Sequence, residues 1–219
     1  MEIKYLGLMP YSDALGLMES MHAEIVANPF KEGVILVVQH PPTVTMGKRE
    51  LFEDMIVPPE QLKYKGVAYH KIDRGGSVTV HEPGQIVIYP IFHIDKQKQS
   101  VRSYVNHLEE AMIETAQHYG VAANRDEINP GVWVGQNKIG AVGIRILNKV
   151  TKHGIAFNVN NSLETFTTIV PCGLRGRGVI NLESAVNENK SLTICESKII
   201  NIDEVSKILA EKIREKLFK

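Results

Sequence analysis

The feature that most constrains how this chain folds is an amphipathic stripe near its middle. From Val101, residues Tyr104, Val105, Leu108, Met112, Ala116 and Tyr119 recur at three- and four-residue spacing, while positions 102, 103, 106, 109 and 110 are polar. That period lines one face of an α-helix and no face of a strand. Ser100 stands before it as an N-cap, and Gly120 follows where a left-handed C-terminal cap belongs.

This helix sits within β-type sequence. Val34 to Gln39 (VILVVQ) is a short, β-branched apolar run that predicts a buried strand. Tyr69 to Thr79 and Gln85 to Phe92 read as strands before the helix. Gly131 to Val134, Lys138 to Ile146 and Thr151 to Val159 read as strands after it, with turns at Gly135-Gln136-Asn137 and Leu147 to Val150. His40-Pro41-Pro42-Thr43 is extended, because the prolines exclude regular pairing. Residues 12 to 28 predict a helix capped by Ser12, a short helix is expected around Glu60 to Tyr64, and Asp203 begins a last amphipathic helix carrying Val205, Ile208, Leu209, Ile213 and Leu217. Phe166 to Gly178 is irregular. Clustered strands, interspersed helices and few β-α-β repeats predict an α+β fold with a mixed sheet. No repeat, linker or low-complexity tract divides the 219 residues, so one domain spanning 1–219 is expected.

Lys plus Arg and Asp plus Glu both number 25, so no net basic charge favours broad nucleic-acid binding. No apolar stretch approaches the ~18 residues of a membrane span, and the N-terminus lacks a basic region followed by an apolar run. Cys172 and Cys195 form no C-x-x-C pair and read as free thiols of a reducing cytoplasm. The eight histidines show no zinc-ligand spacing, and His22, His107 and His118, on predicted helices, read as surface or boundary residues. No metal site is expected. Neither a G-x-x-x-x-G-K-[ST] loop nor a G-x-G-x-x-G turn is present.

Four glycine-rich segments carry the candidate chemistry: Arg74 to Gln85, Lys138 to Gly143, His153 to Ala156 and Pro171 to Gly176. Glycine weakens a strand unless a ligand or another backbone approaches closely, so four such clusters predict one cleft lined with backbone N–H groups. Cys195 lies among apolar neighbours and fits a buried thiol, whereas Cys172 lies between Pro171 and Gly173, with Arg175 and Arg177 nearby to favour a thiolate. Its partner is left open by the residues themselves: His81, His153 and Lys138 are all candidates. An ammonium ~4 Å from a thiolate attracts it by about 4 kcal/mol at an effective dielectric near 20. Half of that brings a thiol from ~8.5 to near 7.

Taken together, HPPTVTMG (40–47), RGGSVTVHEPGQIVIYP (74–90), PGVWV (130–134), KIGAVGIRI (138–146), HGIAFNV (153–159) and PCGL (171–174) resemble, in order, the LipB family of lipoate-biosynthesis octanoyltransferases. The resemblance implies the biotin/lipoate protein ligase-like fold. It also implies transfer of octanoyl from octanoyl-acyl carrier protein to one lysine of apo lipoyl domains, those of the glycine cleavage H protein and of 2-oxoacid dehydrogenase E2 subunits. Cys172 matches the family's acyl-thioester cysteine and Lys138 the lysine that lowers its pKa. Arg74, Gly75, Gly76, Ser77, Val78, Thr79, Val80 and His81 match one substrate-binding stretch. Ala141, Val142 and Gly143 match a second, and Gly154, Ile155 and Ala156 a third. His81 and His153 become pocket or accessory residues. The implied chemistry uses thioester energy, so no cofactor is expected, and a monomer is the expected state.

Two places depart from the family pattern: Glu82, where glycine is usual, and Ile180-Asn181, where a threonine-serine pair is usual. Glu82 would place a carboxylate beside His81 and raise its pKa. Lys48, Arg49, Arg102, Arg175 and Arg177 are candidates for a basic landing site for an acidic carrier. The alternatives are an ATP-dependent lipoate or biotin ligase of the same fold, a non-catalytic lipoyl-domain binding module, and a cysteine hydrolase.

Overall fold

The computed structural model describes residues 1–126, 130–170, 176–190 and 198–218, so Cys172, Arg175 and Cys195 lie outside the described residues. In chain order its elements are β1 (Glu2–Leu8), α1 (Tyr11–Ala27), β2 (Val34–Gln39), β3 (Thr43–Met46), α2 (Pro59–Leu62), β4 (Ala68–Lys71), β5 (Val78–His81), β6 (Gln85–Ile91), α3 (Val101–His118), β7 (Asn124–Arg125), β8 (Val132–Val134), β9 (Asn137–Leu147), β10 (Val150–Asn158), β11 (Gly178–Val179), α4 (Leu182–Lys190) and α5 (Ile202–Leu217).

The strands form a main sheet in the order β1-β2-β6-β10-β9-β8-β7, with β11 beside β9, and a small sheet β4-β3-β5. Both are mixed: β1–β2, β9–β11 and β3–β4 pair in parallel, and the other pairs are antiparallel. The predicted α+β, mixed-sheet architecture is therefore observed.

Apolar runs in the central strands are continuous because both faces of the main sheet are covered. Ile35, Val37, Ile86 and Ile88 pack with Leu108 and Met112 of α3 and with Leu209 and Ile213 of α5. The alternating residues Leu36, Val38, Val87 and Tyr89 pack with Ala14, Met18 and Ile25 of α1. A third apolar cluster holds the small sheet together through Val44, Met46, Val78 and Val80, capped by Leu62, Phe166 and Ile169.

The amphipathic stripe forms α3 as expected. Ser100 Oγ accepts the Ser103 N–H at 3.0 Å, and Gly120 takes φ +80° beyond the C-terminus. Asn148 and Lys149, at φ +52° and +64°, make the tight hairpin between β9 and β10.

Several expectations change. The single strand expected over Tyr69–Thr79 is two, β4 and β5, flanking β3 on opposite sides, with 72–77 as the loop between them. α1 starts at Tyr11 after Pro10, so Ser12 lies inside the first turn and caps nothing. His22 is buried, and its Nε2 bonds Leu147 O at 3.1 Å. Glu109, expected on the polar face of α3, is also buried. β1 and α4 have no counterpart in the sequence reading. No helix among the described residues is long and apolar enough to cross a membrane.

Candidate active site

Between the main sheet and the small one runs a half-open cleft of about 560 Å³, part of it continuous with solvent. Its floor belongs to β9 and β10, where small residues pair across the strands: Gly143 with Gly154 and Ala141 with Ala156. Gly143 has to be small because a Cβ there would lie 2.9 Å from Arg74 Cδ. Gly154 has to be small for a different reason, since a Cβ would run into the Ile88 carbonyl of β6. Val142 and Ile155, between these pairs, also line the cleft.

Lys138 reaches the same cleft through a break in strand alternation. β8 pairs Val132 with Gly140 and Trp133 with Lys138, so β9 carries one extra residue there, a β-bulge. Ile139 packs into the α3 side of the sheet, and a Cβ on Gly140 would lie 2.6 Å from Met112 Sδ of α3. Two successive residues thus face α3, and Lys138 emerges on the cleft side with Ala141.

The lysine is only 6% exposed, its Nζ donates to Pro130 O at 3.1 Å, and it lies 4.8 Å from the Trp133 ring centroid. The opposite turn is held from α3: Glu109 accepts the Gly131 N–H at 2.8 Å and the Arg125 guanidinium at 3.2 Å. Gly131 sits at φ +128°, a backbone that favours glycine.

The roof is the loop from Asp73 to Ser77. β3 and the residues after it pin this loop: Gly47, Lys48 and Arg49 donate backbone N–H groups to Ser77 O, Arg74 O and Gly76 O at 2.9, 3.0 and 3.1 Å. A Cβ on Gly47 would sit 2.5 Å from Gly76 O, which accounts for glycine at the end of HPPTVTMG. Arg74 is buried, and its guanidinium donates to Gly75 O, Thr45 O and Thr45 Oγ1 at 2.9, 2.8 and 3.0 Å. Gly76, Ser77, Val78, Thr79 and His81 line the cleft with it. Two members of the expected stretch do not line it. Gly75 ties its N–H to Ile144 O, and Val80 points into the apolar cluster under the small sheet, on the face of β5 opposite Thr79 and His81.

The cleft histidines are held neutral. His81 donates Nδ1–H to Gln85 Oε1 at 2.8 Å; Gln85 uses its own amide N–H groups on Val80 O and Asn158 Oδ1, which fixes that direction. Burial drives the His81 pKa well below its ordinary value, with the neighbouring His40 adding to the effect. His40, completely enclosed, donates Nδ1–H to Met9 O and accepts at Nε2 from the Tyr89 hydroxyl, at 2.8 and 2.9 Å. Burial brings its pKa down to about 4. Tyr11 stacks on His81, ring centroids 5.7 Å apart.

His153 is buried as well, and burial lowers its pKa against the opposing pull of Asp73. Its Nε2 meets Asp73 Oδ1 at 2.7 Å. That hydrogen bond, followed by one from Lys152, holds the Asp73 carboxyl far below the ordinary range.

Glu82 does not act on His81. Its carboxylate turns away and accepts from Asn161 Nδ2 and from the backbone N–H groups of Leu163 and Thr165, at 2.9, 2.7 and 3.2 Å. It thereby fastens the turn that opens Glu164–Thr168. The chain beyond is tied by Thr168 O to the N–H groups of Ile56 and Val57, and by Val170 N–H to Asp54 O at 2.7 Å. Asp54 in turn accepts from Ser77 Oγ at 2.9 Å. After the segment containing Cys172, Val179 of β11 pairs with Lys138. Asn181, the other departure, caps α4 by accepting the Ser184 N–H at 2.7 Å.

The described members of the expected basic landing site do not come together; Arg175 lies outside the described residues. Lys48 and Arg49 adjoin the roof loop, Arg102 lies at the start of α3 on the opposite layer, and Arg177 pairs with Asp126 at 2.6 Å and stacks 3.6 Å from the Trp133 ring.

Tyr11, His40, Asp73 and Tyr89 went unnoticed in the sequence as site residues. Tyr11 and Tyr89 sit within ordinary helix and strand patterns, which mask them. HPPT and the residue before Arg74 carried the available signal for the other two.

The site is thus a buried lysine facing a slot between two sheets, floored by small residues and roofed by a pinned glycine loop. Residues 10–214 match the lipoyl protein ligase A/B catalytic domain. An octanoyltransferase of Caldicellulosiruptor saccharolyticus is 45% identical over 84% of this chain and 78% of its own length. A mitochondrial octanoyltransferase of Arabidopsis thaliana is 36% identical over 94% and 91%. Among solved structures, a lipoate-protein ligase A bound with ATP superposes with TM-score 0.73 at 19% identity, covering 99% of this chain and 86% of that one. A biotin protein ligase of Aquifex aeolicus superposes at 0.53 and 12%, covering 99% and 68%. The chain therefore belongs to the octanoyltransferase family within the lipoyl protein ligase A/B catalytic-domain group. It is an acyltransferase with the biotin/lipoate ligase fold.

Proposed function

We propose that this acyltransferase moves octanoyl from octanoyl-acyl carrier protein to the target lysine of apo lipoyl domains, those of 2-oxoacid dehydrogenase E2 subunits and the glycine cleavage H protein. It acts as a single-domain, cytoplasmic monomer through a Cys172 acyl-thioester. The observation that carries this reading is Lys138, buried and turned by the bulge into the cleft. Support also comes from Val179, seven residues past Cys172, which pairs with Lys138, and from the hydrogen bonds that tie Val170, two residues before Cys172, to Asp54 and so to Ser77 of the roof.

In this mechanism the Cys172 thiol gives its proton to the Lys138 amine, and the thiolate attacks the octanoyl thioester carbon. A C–S bond forms, backbone N–H groups of the cleft stabilise the oxyanion, and the old C–S bond breaks. Lys138 returns the proton to the departing carrier thiolate. The acceptor lysine, as a neutral amine, then attacks the acyl-enzyme. A C–N bond forms, Cys172 leaves as thiolate, and the amine proton passes through Lys138 to Cys172. One thioester is consumed and one amide is made, so neither ATP nor metal enters the balance.

Intact-mass measurement after incubation with octanoyl-acyl carrier protein tests this. The wild type is expected to gain one octanoyl group that apo lipoyl domain removes, Cys172→Ser to gain none, and Lys138→Ala to acylate at least 100-fold more slowly. Absence of an adduct on the wild type at every pH between 6 and 9 sinks the thioester reading. Product formed from free octanoate and ATP by Cys172→Ser supports a ligase instead.

A further inference from the structure

One contact spans the cleft described above from floor to roof. His153 rises from the floor, in register with Ile144 on β9, and Asp73 comes from the roof loop. Their hydrogen bond of 2.7 Å joins the two sheets across the slot. Lys152 Nζ braces the same carboxylate at 3.2 Å, and Arg145 Nε approaches it at 3.9 Å.

Two further observations set His153 apart from an ordinary strand residue. Its φ is +57° in the middle of β10, a left-handed backbone that a non-glycine residue adopts at a cost and that collects at functional sites. Its ring is buried at 2% exposure, yet Nδ1 has no hydrogen-bond partner among the described residues. Most buried side-chain polar atoms have a partner, so an open ring nitrogen in the interior calls for an account. This one uses Nε2 to reach the roof and presents the rest of its surface to the cleft that it lines.

We propose that the His153–Asp73 pair is the end wall of the acyl slot and fixes the longest chain the enzyme accepts. The proposal rests on the octanoyl-transfer reading and names what sets its chain length. Along the β9–β10 floor, Lys138 lies beyond Gly140 toward one end, and His153, opposite Ile144, lies toward the other. From Ala141 to Ile144, the residue opposite His153, β9 advances three residues, ~10 Å of strand. An extended eight-carbon chain is comparable in length. A longer chain would have to displace the imidazole and break its bond to the roof, whereas a shorter one leaves part of the floor uncovered.

The test is a length series: acyl-carrier protein thioesters of six, eight, ten and twelve carbons, with Cys172 acylation followed by intact mass. Wild type is expected to favour eight carbons over twelve by at least tenfold. His153→Ala should raise the twelve-to-eight ratio tenfold or more. His153→Asn is the companion variant, because asparagine tolerates the left-handed backbone but is too short to span the slot; it should shift the ratio in the same direction. An unchanged ratio in both variants, with cooperative melting retained, overturns the proposal and leaves His153 a structural strut. A wild type that accepts twelve carbons as readily as eight also overturns it. No adduct from any donor on wild type overturns the octanoyl-transfer reading first, and the end wall with it.

Discussion

His40 makes contacts on both ring nitrogens and has no exposed surface, so its protonation requires the Tyr89 hydroxyl to turn from donor to acceptor and buries a charge. Its folded pKa of about 4 lies below the unfolded value of about 6.5, so the unfolded chain binds the proton first as pH falls. Stability from this residue is complete above pH ~6.5 and is lost between there and pH ~4, by up to about 1.4 kcal/mol per pH unit. His81 and His153 are shifted in the same direction by burial and add to the slope. Urea melts between pH 7.5 and 4.5 should show that loss, and His40→Gln should flatten it; a stability that is level across the window refutes the assignment. At this scale the sequence exposed residue types but not their surroundings. Glu82 beside His81 in sequence suggested a charge pair, yet in space the carboxylate faces the 161–165 turn, because successive residues at the end of β5 point in opposite directions.

The bulge in β9 converts a lysine at the wrong parity into one facing the cleft, and nothing in KIGAVG announces an extra residue. The glycines around it predict, from sequence, a cleft lined with exposed backbone N–H groups. Gly140 instead leaves room for Met112, Gly143 for Arg74, and Gly154 for the Ile88 carbonyl. Gly154→Ala is therefore expected to separate β10 from β6, lowering unfolding free energy by at least about 2 kcal/mol through overpacking in a sheet with no slack. Chemical denaturation measures this, and a loss under 0.5 kcal/mol, on the order of an ordinary surface change, would contradict the packing account. α3 was legible because its period is long and its caps are standard. β1 was not: it is an edge strand with a mixed exposure pattern, and Gly7 takes φ +66° within it. α4 is short and largely polar, and depends on the Asn181 cap. The 69–79 run was misread as one strand because a β3 that pairs on both edges splits it, which is a long-range fact.

At the scale of the whole molecule, the cleft is the seam between two sheets, joined across it by His153–Asp73, Lys152–Asp73, Gly75–Ile144, His81–Gln85 and the floor–roof contacts of Arg74. Filling that seam with an acyl chain buries apolar surface against both sheets, at ~0.8 kcal/mol per methylene. The octanoylated enzyme is accordingly expected to melt several degrees above the free enzyme, since each kcal/mol moves Tm by about 2–4 °C for a chain of this size. Calorimetry of the two forms decides it, and equal Tm values would mean that the chain lies outside the seam.

By itself the sequence determined the fold class, the long helix, the central strands and the family, because hydrophobic period and short ordered motifs are local properties of the chain. It also brought forward Lys138, His81 and His153 as chemistry-bearing residues. Only the tertiary structure decided which way each of them faces. A bulge turns Lys138 inward, alternation hides Val80, a roof carboxylate captures His153, and burial keeps the histidines neutral. Facing and burial depend on partners 23 to 125 residues away in the chain, from Asp54–Ser77 to His22–Leu147, and no local pattern encodes them.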